Sequence, residues 1–108
     1  MVDPKILVIL PAFNESGNIG KTIRELQALS FHFDVVVIDD GSSDDTVQEA
    51  GAAGGQVISL PFNLGIGGAV QTGFLYALRK GYDFAVQIDG DGQHDAEYLK
   101  VILEPVVS

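Results

Sequence analysis

The chain has 108 residues, of which 46% are hydrophobic and 19% are charged, a composition typical of one small globular domain. Its 15 acidic and 6 basic side chains give a formal charge of −9 at pH 7, which argues against a nucleic-acid partner. The absence of cysteine excludes disulfides and thiolate metal sites and fits a cytoplasmic protein. No apolar run approaches the roughly 18 residues of a membrane span.

Four short runs rich in aliphatic residues predict β-strands. The first is continuously apolar after Lys5, as expected of a strand that is covered on both faces of a sheet, and we expect it to end before Pro11. The predicted strands are residues 5–10, 33–38, 56–60 and 83–88.

Apolar residues at helical spacing between these runs predict four helices. The first begins at Ile19, with Asn14 or Ser16 as its N-cap. The second follows a capping box formed by Ser42 and Asp45. The predicted helices are residues 19–29, a segment ending near residue 53, residues 70–78, and a segment from residue 95 or 96 to about 103.

The alternation of strands and helices predicts a three-layer α/β sandwich with a mainly parallel sheet. In such folds, ligands bind beyond the carboxyl ends of the strands. Three polar loops are predicted at that edge, namely PAFNE after the first strand, DDGSSDD after the second and DGDGQHD after the fourth. Their convergence predicts a functional site.

Two partial phosphate-binding motifs are weaker signals. The stretch Gly20-Lys21-Thr22 ends like a P-loop, but the required first glycine is replaced by Glu15, whose charge would repel phosphate. The stretch GIGG at 65–68 lacks the third glycine of a dinucleotide-binding turn. We expect at least two of its three glycines to serve a tight turn or close helix–sheet packing.

Asp39 and Asp40, at the end of the second predicted strand, have two interpretations of equal weight. The sequence DDGS is common in a turn that leads into a helix N-terminus. Alternatively, one of these carboxylates accepts hydrogen bonds from N–H groups on the edge of a nucleobase.

Asp89 and Asp91, separated by Gly90, can direct their oxygens at one hard cation at the end of the fourth strand. Gln93 offers a further neutral oxygen, whereas His94 is expected beside the ligands rather than among them. A carboxylate about 4 Å from a phosphate charge costs on the order of 4 kcal/mol at an effective dielectric of about 20. Two acids would exclude a diphosphate unless a divalent ion lies between them, so the pattern predicts Mg²⁺ or Mn²⁺.

Four stretches occur in the order and spacing of family 2 glycosyltransferases: VILPAFNESGNI, VVVIDDGSSDDT, NLGIGGAVQTGF and QIDGDGQHD. The sequence most resembles the branch that contains dolichol-phosphate mannose synthases and bacterial polyprenyl-phosphate sugar transferases. The resemblance covers nearly the whole chain and implies the Rossmann-like, nucleotide-sugar-binding half of a GT-A fold. It implies an inverting transfer from a UDP- or GDP-sugar, with a divalent metal, to a polyprenyl phosphate or another glycan or lipid acceptor.

The resemblance also implies roles for individual residues. Asp40 would hold the nucleobase with Asp39 in support, and the glycines around Gly67 would let the backbone pass close to the donor. Phe13 stands where the family usually has tyrosine. The implied donor-binding residues are Pro11, Phe13, Glu15, Asp39, Asp40, Gly67, Asp89 and Gly90. The implied metal site comprises Asp89, Asp91 and Gln93, and no catalytic base is identified.

Members of this family continue into an acceptor-binding half. The chain is therefore expected to form one domain, residues 1–108, that represents the donor-binding part of a larger enzyme at the cytoplasmic face of a membrane. A fragment that binds the nucleotide sugar without catalysis is the alternative. A nucleotidyltransferase is a weaker one, because PAFNESGN has no basic residue before Lys21. An exposed edge on the last strand would allow a homodimer.

Overall fold

The computed structural model describes residues 4–89 and 95–107, which form four strands and four helices in strict alternation. The predicted alternation is therefore confirmed. The elements are β1 (Ile6–Ala12), α1 (Ile19–Gln27), β2 (Asp34–Asp39), α2 (Thr46–Ala52), β3 (Gln56–Ser59), α3 (Gly65–Arg79), β4 (Phe84–Gln87) and α4 (Asp95–Val107).

The strands form one parallel sheet in the order β3-β2-β1-β4. β1 lies in the interior of this sheet, and all seven of its residues are buried. Its continuous apolar sequence follows from this position, because helices cover both faces of the sheet. The predicted parallel α/β fold is confirmed, with β3 and β4 at the two edges of the sheet in the described chain.

Alternate residues of β1 contribute to two separate hydrophobic cores. On one face, Val8 packs in a cluster with Ile23 of α1 and Leu99 of α4. On the other face, Ile9 packs in a cluster with Ala69 of α3. The result is a three-layer sandwich with α1, α2 and α4 on one side of the sheet and α3 on the other.

β1 runs two residues beyond its predicted end, through Pro11 to Ala12. Pro11 has no N–H to donate to a neighbouring strand. In β1, the backbone groups of Pro11 face the same neighbouring strand as those of Ile9. That neighbour is β4, because the Ile9 carbonyl accepts from the Ile88 N–H at 2.9 Å. The pairing of β1 with β4 has ended before Pro11, so the proline breaks no ladder there, and β1 continues beside β2 alone.

The predicted N-caps of the first two helices are wrong. The N-caps are Asn18 for α1 and Asp45 for α2, and neither makes a side-chain capping hydrogen bond. The side chains of Asn14 and Ser42 instead join the loops that follow β1 and β2, and the Ser16 hydroxyl donates to Glu49 of α2. These loops leave adjacent strands at the same edge of the sheet, so their polar side chains bond across the gap rather than to their own helices.

Two helix ends also differ from the prediction. α1 ends two residues before Leu29, which still packs against the core from the following turn. α4 continues past residue 103 and contains Pro105, because Val106 extends the apolar spacing of Leu99 and Leu103 and packs on the same core. None of the described helices is long and apolar enough to cross a membrane.

Candidate functional site

An open cleft of about 280 Å³ lies at the carboxyl ends of the strands. The segments that follow β1, β2 and β4 contribute to it together with the start of α3, since all of them meet at the same edge of the sheet. Its lining residues are Pro11, Ala12, Phe13, Glu15, Asp40, Asn63, Gly65, Ile66, Ala69 and Asp89. The structure therefore brings together Pro11, Phe13, Glu15, Asp40 and Asp89, as the sequence predicts.

Asp40 is the buried carboxylate of the cleft, with 4% of its surface exposed. Its backbone N–H donates to the Ala12 carbonyl at 2.8 Å and continues the pairing of β1 with β2. Its Oδ1 accepts from the Leu64 N–H at 2.6 Å, directly before α3 begins. Asp40 thus links the ends of two strands to the amino end of α3 and presents a charged acceptor where little water competes.

Asp39 has a different position from Asp40. It is 3% exposed and lies outside the cleft lining. The Ser42 N–H donates to its two carboxylate oxygens, with nitrogen–oxygen distances of 3.3 and 3.4 Å. These contacts close the turn through Gly41, which has a φ of +86° and where a Cβ would lie 3.2 Å from the Asn63 nitrogen. Of the two carboxylates, Asp40 reaches the cleft and Asp39 supports the turn behind it.

Phe13 and Glu15 enter the cleft from the loop between β1 and α1. Phe13 is 47% exposed, so its ring is accessible to a planar ligand. Glu15 is half-buried, and its carbonyl accepts from the N–H groups of Asn18 and Ile19 at 3.0 Å, where α1 begins. The loop therefore brings one aromatic ring and one carboxylate to the cleft.

The way this loop is held was not predicted from the sequence. Four successive backbone N–H groups, those of residues 14–17, each donate to a side chain of the segment that follows β2. The acceptors are Ser42, Thr46, Asp44 and Glu49, at 2.9, 2.8, 3.1 and 2.7 Å respectively. We call these hydrogen bonds the loop clasp. The run SSDDT carries part of this signal, but in the sequence alone it has the form of a local capping box.

Asp44 and Thr46 are coupled within the loop clasp. The hydroxyl and the N–H of Thr46, a fully buried residue, both donate to Asp44 Oδ1. The hydroxyl bond is the largest cause that lowers the pKa of Asp44 below its ordinary value. The N–H groups of Thr46 and Ser16 lower this pKa further, against the opposing effect of burial. Asp44 is thus a charged acceptor at neutral pH.

The glycines at the start of α3 have different environments. Gly65 has a φ of +82°, in the left-handed region that favours glycine, and a Cβ on Gly68 would lie 2.7 Å from Leu64 Cβ. Gly65 confirms the expected turn, whereas Gly68 packs against Leu64, the residue before α3, and not against the sheet. The predicted start of this helix at residue 70 is wrong, because α3 begins at Gly65. Gly67 is exposed next to Ile66 of the cleft lining, and a Cβ there would meet nothing within 4 Å. Its role toward a donor stays a prediction.

Asp89 is the described carboxylate of the predicted metal site. It is exposed and lines the cleft just after β4, next to Ile88, whose N–H is bound by the Ile9 carbonyl at 2.9 Å. Its predicted neighbours Gly90, Asp91, Gln93 and His94 lie outside the described residues. Within residues 4–89 and 95–107, no three His, Cys, Asp or Glu side chains are grouped so that they could hold a metal ion.

Curated proteins with related sequences transfer sugars to polyprenyl or dolichyl phosphates. Residues 7–108 match the family model described as glycosyl transferase family 2. The undecaprenyl-phosphate mannosyltransferase of Micrococcus luteus is 35% identical over 107 residues, which cover 94% of this chain and 44% of that protein. The UDP-N-acetylglucosamine–dolichyl-phosphate N-acetylglucosaminyltransferase of Methanococcus voltae is 30% identical, and the match covers 100% of this chain and 49% of that protein.

Solved structures confirm the predicted GT-A-like fold. The glucosyl-3-phosphoglycerate synthase of Mycobacterium tuberculosis, in complex with Mn²⁺, UDP and glucosyl-3-phosphoglycerate, superimposes with a TM-score of 0.77 at 28% identity. The match covers 97% of this chain and 40% of that one. Another structure of the same enzyme contains Mg²⁺ and UDP. The present chain spans less than half the length of each of these proteins.

Proposed function

Since this chain belongs to glycosyl transferase family 2, we propose that its cleft binds the nucleotide-sugar donor of an inverting transfer to a polyprenyl phosphate. The observation that carries the proposal is the meeting of Phe13, Glu15, Asp40 and Asp89 in one cleft at the carboxyl ends of the strands. We take UDP as the nucleotide, because the similar solved enzyme binds it. The acceptor class is the one named for the curated relatives.

Asp40 is the residue that we assign to the nucleobase. Uracil has an N3–H on its edge, and a buried carboxylate accepts such a donor strongly because water competes little for it. The bond from the Leu64 N–H at 2.6 Å holds the carboxylate in one orientation. The exposed ring of Phe13 offers a stacking surface for the same base.

A diphosphate in this cleft would need a divalent cation as its counter-charge. Glu15, Asp40 and Asp89 place three carboxylates in the lining. A diphosphate would meet repulsion on the order of 4 kcal/mol from each carboxylate about 4 Å away, at an effective dielectric of about 20. Asp89, with Asp91 and Gln93, would hold Mg²⁺ or Mn²⁺, since both ions prefer such oxygen ligands. When bound, the cation offsets the charge of the diphosphate and of the leaving group.

The proposed transfer joins an acceptor oxygen to the anomeric carbon of the sugar. An oxygen of the polyprenyl phosphate attacks as the bond from this carbon to the β-phosphate oxygen breaks, so the configuration inverts and the nucleoside diphosphate leaves. A phosphate monoester, with a second pKa of about 6, is mostly ionised at pH 7 and attacks without a strong base. The residues of the cleft therefore contribute by binding and orienting the donor.

A domain that binds the nucleotide sugar without transferring the sugar is a second candidate. The chain spans less than half the length of the two curated relatives named above, so transfer of the sugar is tested separately from binding. Incubation with a UDP-sugar and a polyprenyl phosphate separates the two: a glycosyl lipid indicates transfer, and bound nucleotide without product indicates a binding domain.

The polyprenyl acceptor would place the transfer at a membrane surface, which we propose to be the cytoplasmic face.

The cleft assignment is tested by the nucleotide affinity of two variants, measured calorimetrically with Mn²⁺ and with EDTA. Asp89→Ala is expected to abolish the dependence on Mn²⁺. Asp40→Asn is expected to weaken UDP binding by about tenfold, because the amide lacks the charge of the carboxylate. Asp45→Ala is the matched control, since Asp45 is exposed, lies outside the cleft lining and makes no capping bond. Equal UDP affinities of all three variants, both with Mn²⁺ and with EDTA, would contradict the assignment.

A further inference from the structure

The geometry points to Glu49 as a positioning residue that holds the loop between β1 and α1 so that Phe13 and Glu15 face the cleft, and that thereby sets the affinity for a nucleoside diphosphate. This inference rests on the proposed function, because it requires the nucleotide to bind in the cleft. Glu49 is not one of the lining residues, so it acts through the loop and not by touching the ligand.

Both carboxylate oxygens of Glu49 accept hydrogen bonds from this loop. Oε1 accepts from the Ser16 hydroxyl at 2.8 Å, and Oε2 accepts from the Gly17 N–H at 2.7 Å. Gly17 has a φ of +90°, so the chain reverses here on its way into α1. A carboxylate that accepts two charge-assisted bonds fixes the orientation of its partner segment as well as its distance.

The other bonds of the loop clasp act on the same segment. The N–H groups of Asn14, Glu15 and Ser16 donate to side chains that precede Glu49 in the sequence. Glu49 is the last of the four acceptors along the chain and binds the last of the four N–H groups. Thr46 is fully buried, whereas Glu49 is half-buried. A substitution of Glu49 therefore probes the loop with less disturbance of the core than a substitution of Thr46 would cause.

A loop that is held in the binding conformation raises the affinity for the ligand. When only a fraction of the molecules has this conformation, the apparent Kd rises by the inverse of that fraction. Loss of two charge-assisted hydrogen bonds changes such an equilibrium by about tenfold or more. We therefore expect an apparent Kd for UDP about tenfold higher in Glu49→Ala.

The experiment compares Glu49→Ala and Glu49→Gln with a matched control, Gln48→Ala. Gln48 is the adjacent residue on α2, is exposed and is not part of the loop clasp. In Glu49→Gln the amide oxygen accepts from Gly17 and the amide nitrogen donates to the Ser16 hydroxyl, so both contacts are kept. We would measure the UDP affinity with Mn²⁺ by calorimetry and the hydrogen exchange of the Gly17 amide, without nucleotide, by NMR.

We expect Glu49→Ala alone to bind UDP about tenfold more weakly and to exchange the Gly17 amide about tenfold faster. Glu49→Gln should lie between Glu49→Ala and the wild-type chain in both measurements, because it keeps both contacts without the charge. Gln48→Ala should stay within about twofold of the wild-type chain. If Glu49 contributed only to overall stability, Glu49→Ala would lower the melting temperature without faster exchange of the Gly17 amide, and Glu49→Gln would give no rescue.

The outcomes separate this inference from the proposed function. If the wild-type chain binds no UDP, the proposed function fails and the inference falls with it. If the wild-type chain binds UDP and Glu49→Ala binds it as tightly as Gln48→Ala does, the inference alone is overturned. If Glu49→Ala does not fold, Ser16→Ala decides, because it removes one of the two contacts from an exposed loop residue. About threefold weaker UDP binding supports the inference, and unchanged affinity overturns it.

Discussion

Asn14 is the residue at which the loop after β1 departs from ordinary backbone geometry. Its φ is +53°, in the left-handed region, where a side chain costs about 1–2 kcal/mol. Its N–H donates to Ser42 Oγ at 2.9 Å, and its Oδ1 accepts from the Ser43 N–H at 2.8 Å. Asparagine tolerates this conformation better than most residues and uses its amide group to join the two loops.

We expect Asn14→Ala to lower the free energy of unfolding by about 2 kcal/mol and Asn14→Gly to lower it by about 1 kcal/mol. Both variants lose the bond to Ser43, but only alanine keeps a Cβ in the left-handed region. Urea denaturation at pH 7 measures the difference. An alanine variant as stable as the glycine variant would show that backbone strain at this position contributes nothing.

At the scale of elements, α3 approaches the sheet closely because it has a face of small residues. A Cβ added to Gly73 would lie 2.4 Å from Cγ2 of Ile9, which is fully buried in β1. Ala69 and Ala77, one helical turn away on either side, are also buried. The distance between helix and sheet is therefore set by residues with little or no side chain.

Gly73→Ala is expected to lower the free energy of unfolding by about 1–3 kcal/mol, because the helix must shift or Ile9 must leave its rotamer. Gly67→Ala is the control on the same helix, where an added Cβ meets nothing within 4 Å. This control should leave stability unchanged or raise it by up to about 1 kcal/mol, since alanine favours the helix. Similar losses in both variants would mean that Gly73 does not set the helix–sheet distance.

The elements themselves could be predicted from the sequence, because burial dictates their patterns. β1 is continuously apolar since both of its faces are covered, and Ile19, Ile23 and Leu26 repeat at the helical period since one face of α1 is buried. The position of the cleft could also be predicted, because the carboxyl ends of parallel strands meet at one edge of the sheet. The loop clasp could not, because Ser42 and Ser16 look locally like helix caps. Their partners become neighbours only when β1 and β2 pair.

At the scale of the whole molecule, the carboxyl and amino ends of the strands differ in structure. The cleft lies at the carboxyl ends of the strands, whereas the amino ends are linked by polar contacts. Tyr82, before β4, donates to Asp34 Oδ2 at 2.6 Å, and Lys5 Nζ lies 4.5 Å from the centroid of the Tyr82 ring. These contacts connect the starts of β1, β2 and β4 far from the proposed donor site.

These contacts predict a loss of stability at alkaline pH. Burial, followed by the hydrogen bond to Asp34, raises the pKa of Tyr82 above its ordinary value. Tyrosine in the unfolded chain ionises near pH 10, so the stabilisation is complete below about pH 10 and is lost as the pH rises toward the folded pKa. We expect the free energy of unfolding to fall steeply above about pH 10, and less steeply in Tyr82→Phe. Urea denaturation across this range measures both slopes, and equal slopes would contradict the expectation.

The measurement that tests the central claim most directly is a calorimetric titration of the wild-type chain with UDP, once with Mn²⁺ and once with EDTA, and with GDP for comparison. A metal-dependent nucleotide-sugar site predicts that UDP binds with Mn²⁺, that EDTA weakens this binding by about tenfold or more, and that GDP binds more weakly. Absence of UDP binding with Mn²⁺, or an affinity that EDTA leaves unchanged, would contradict it.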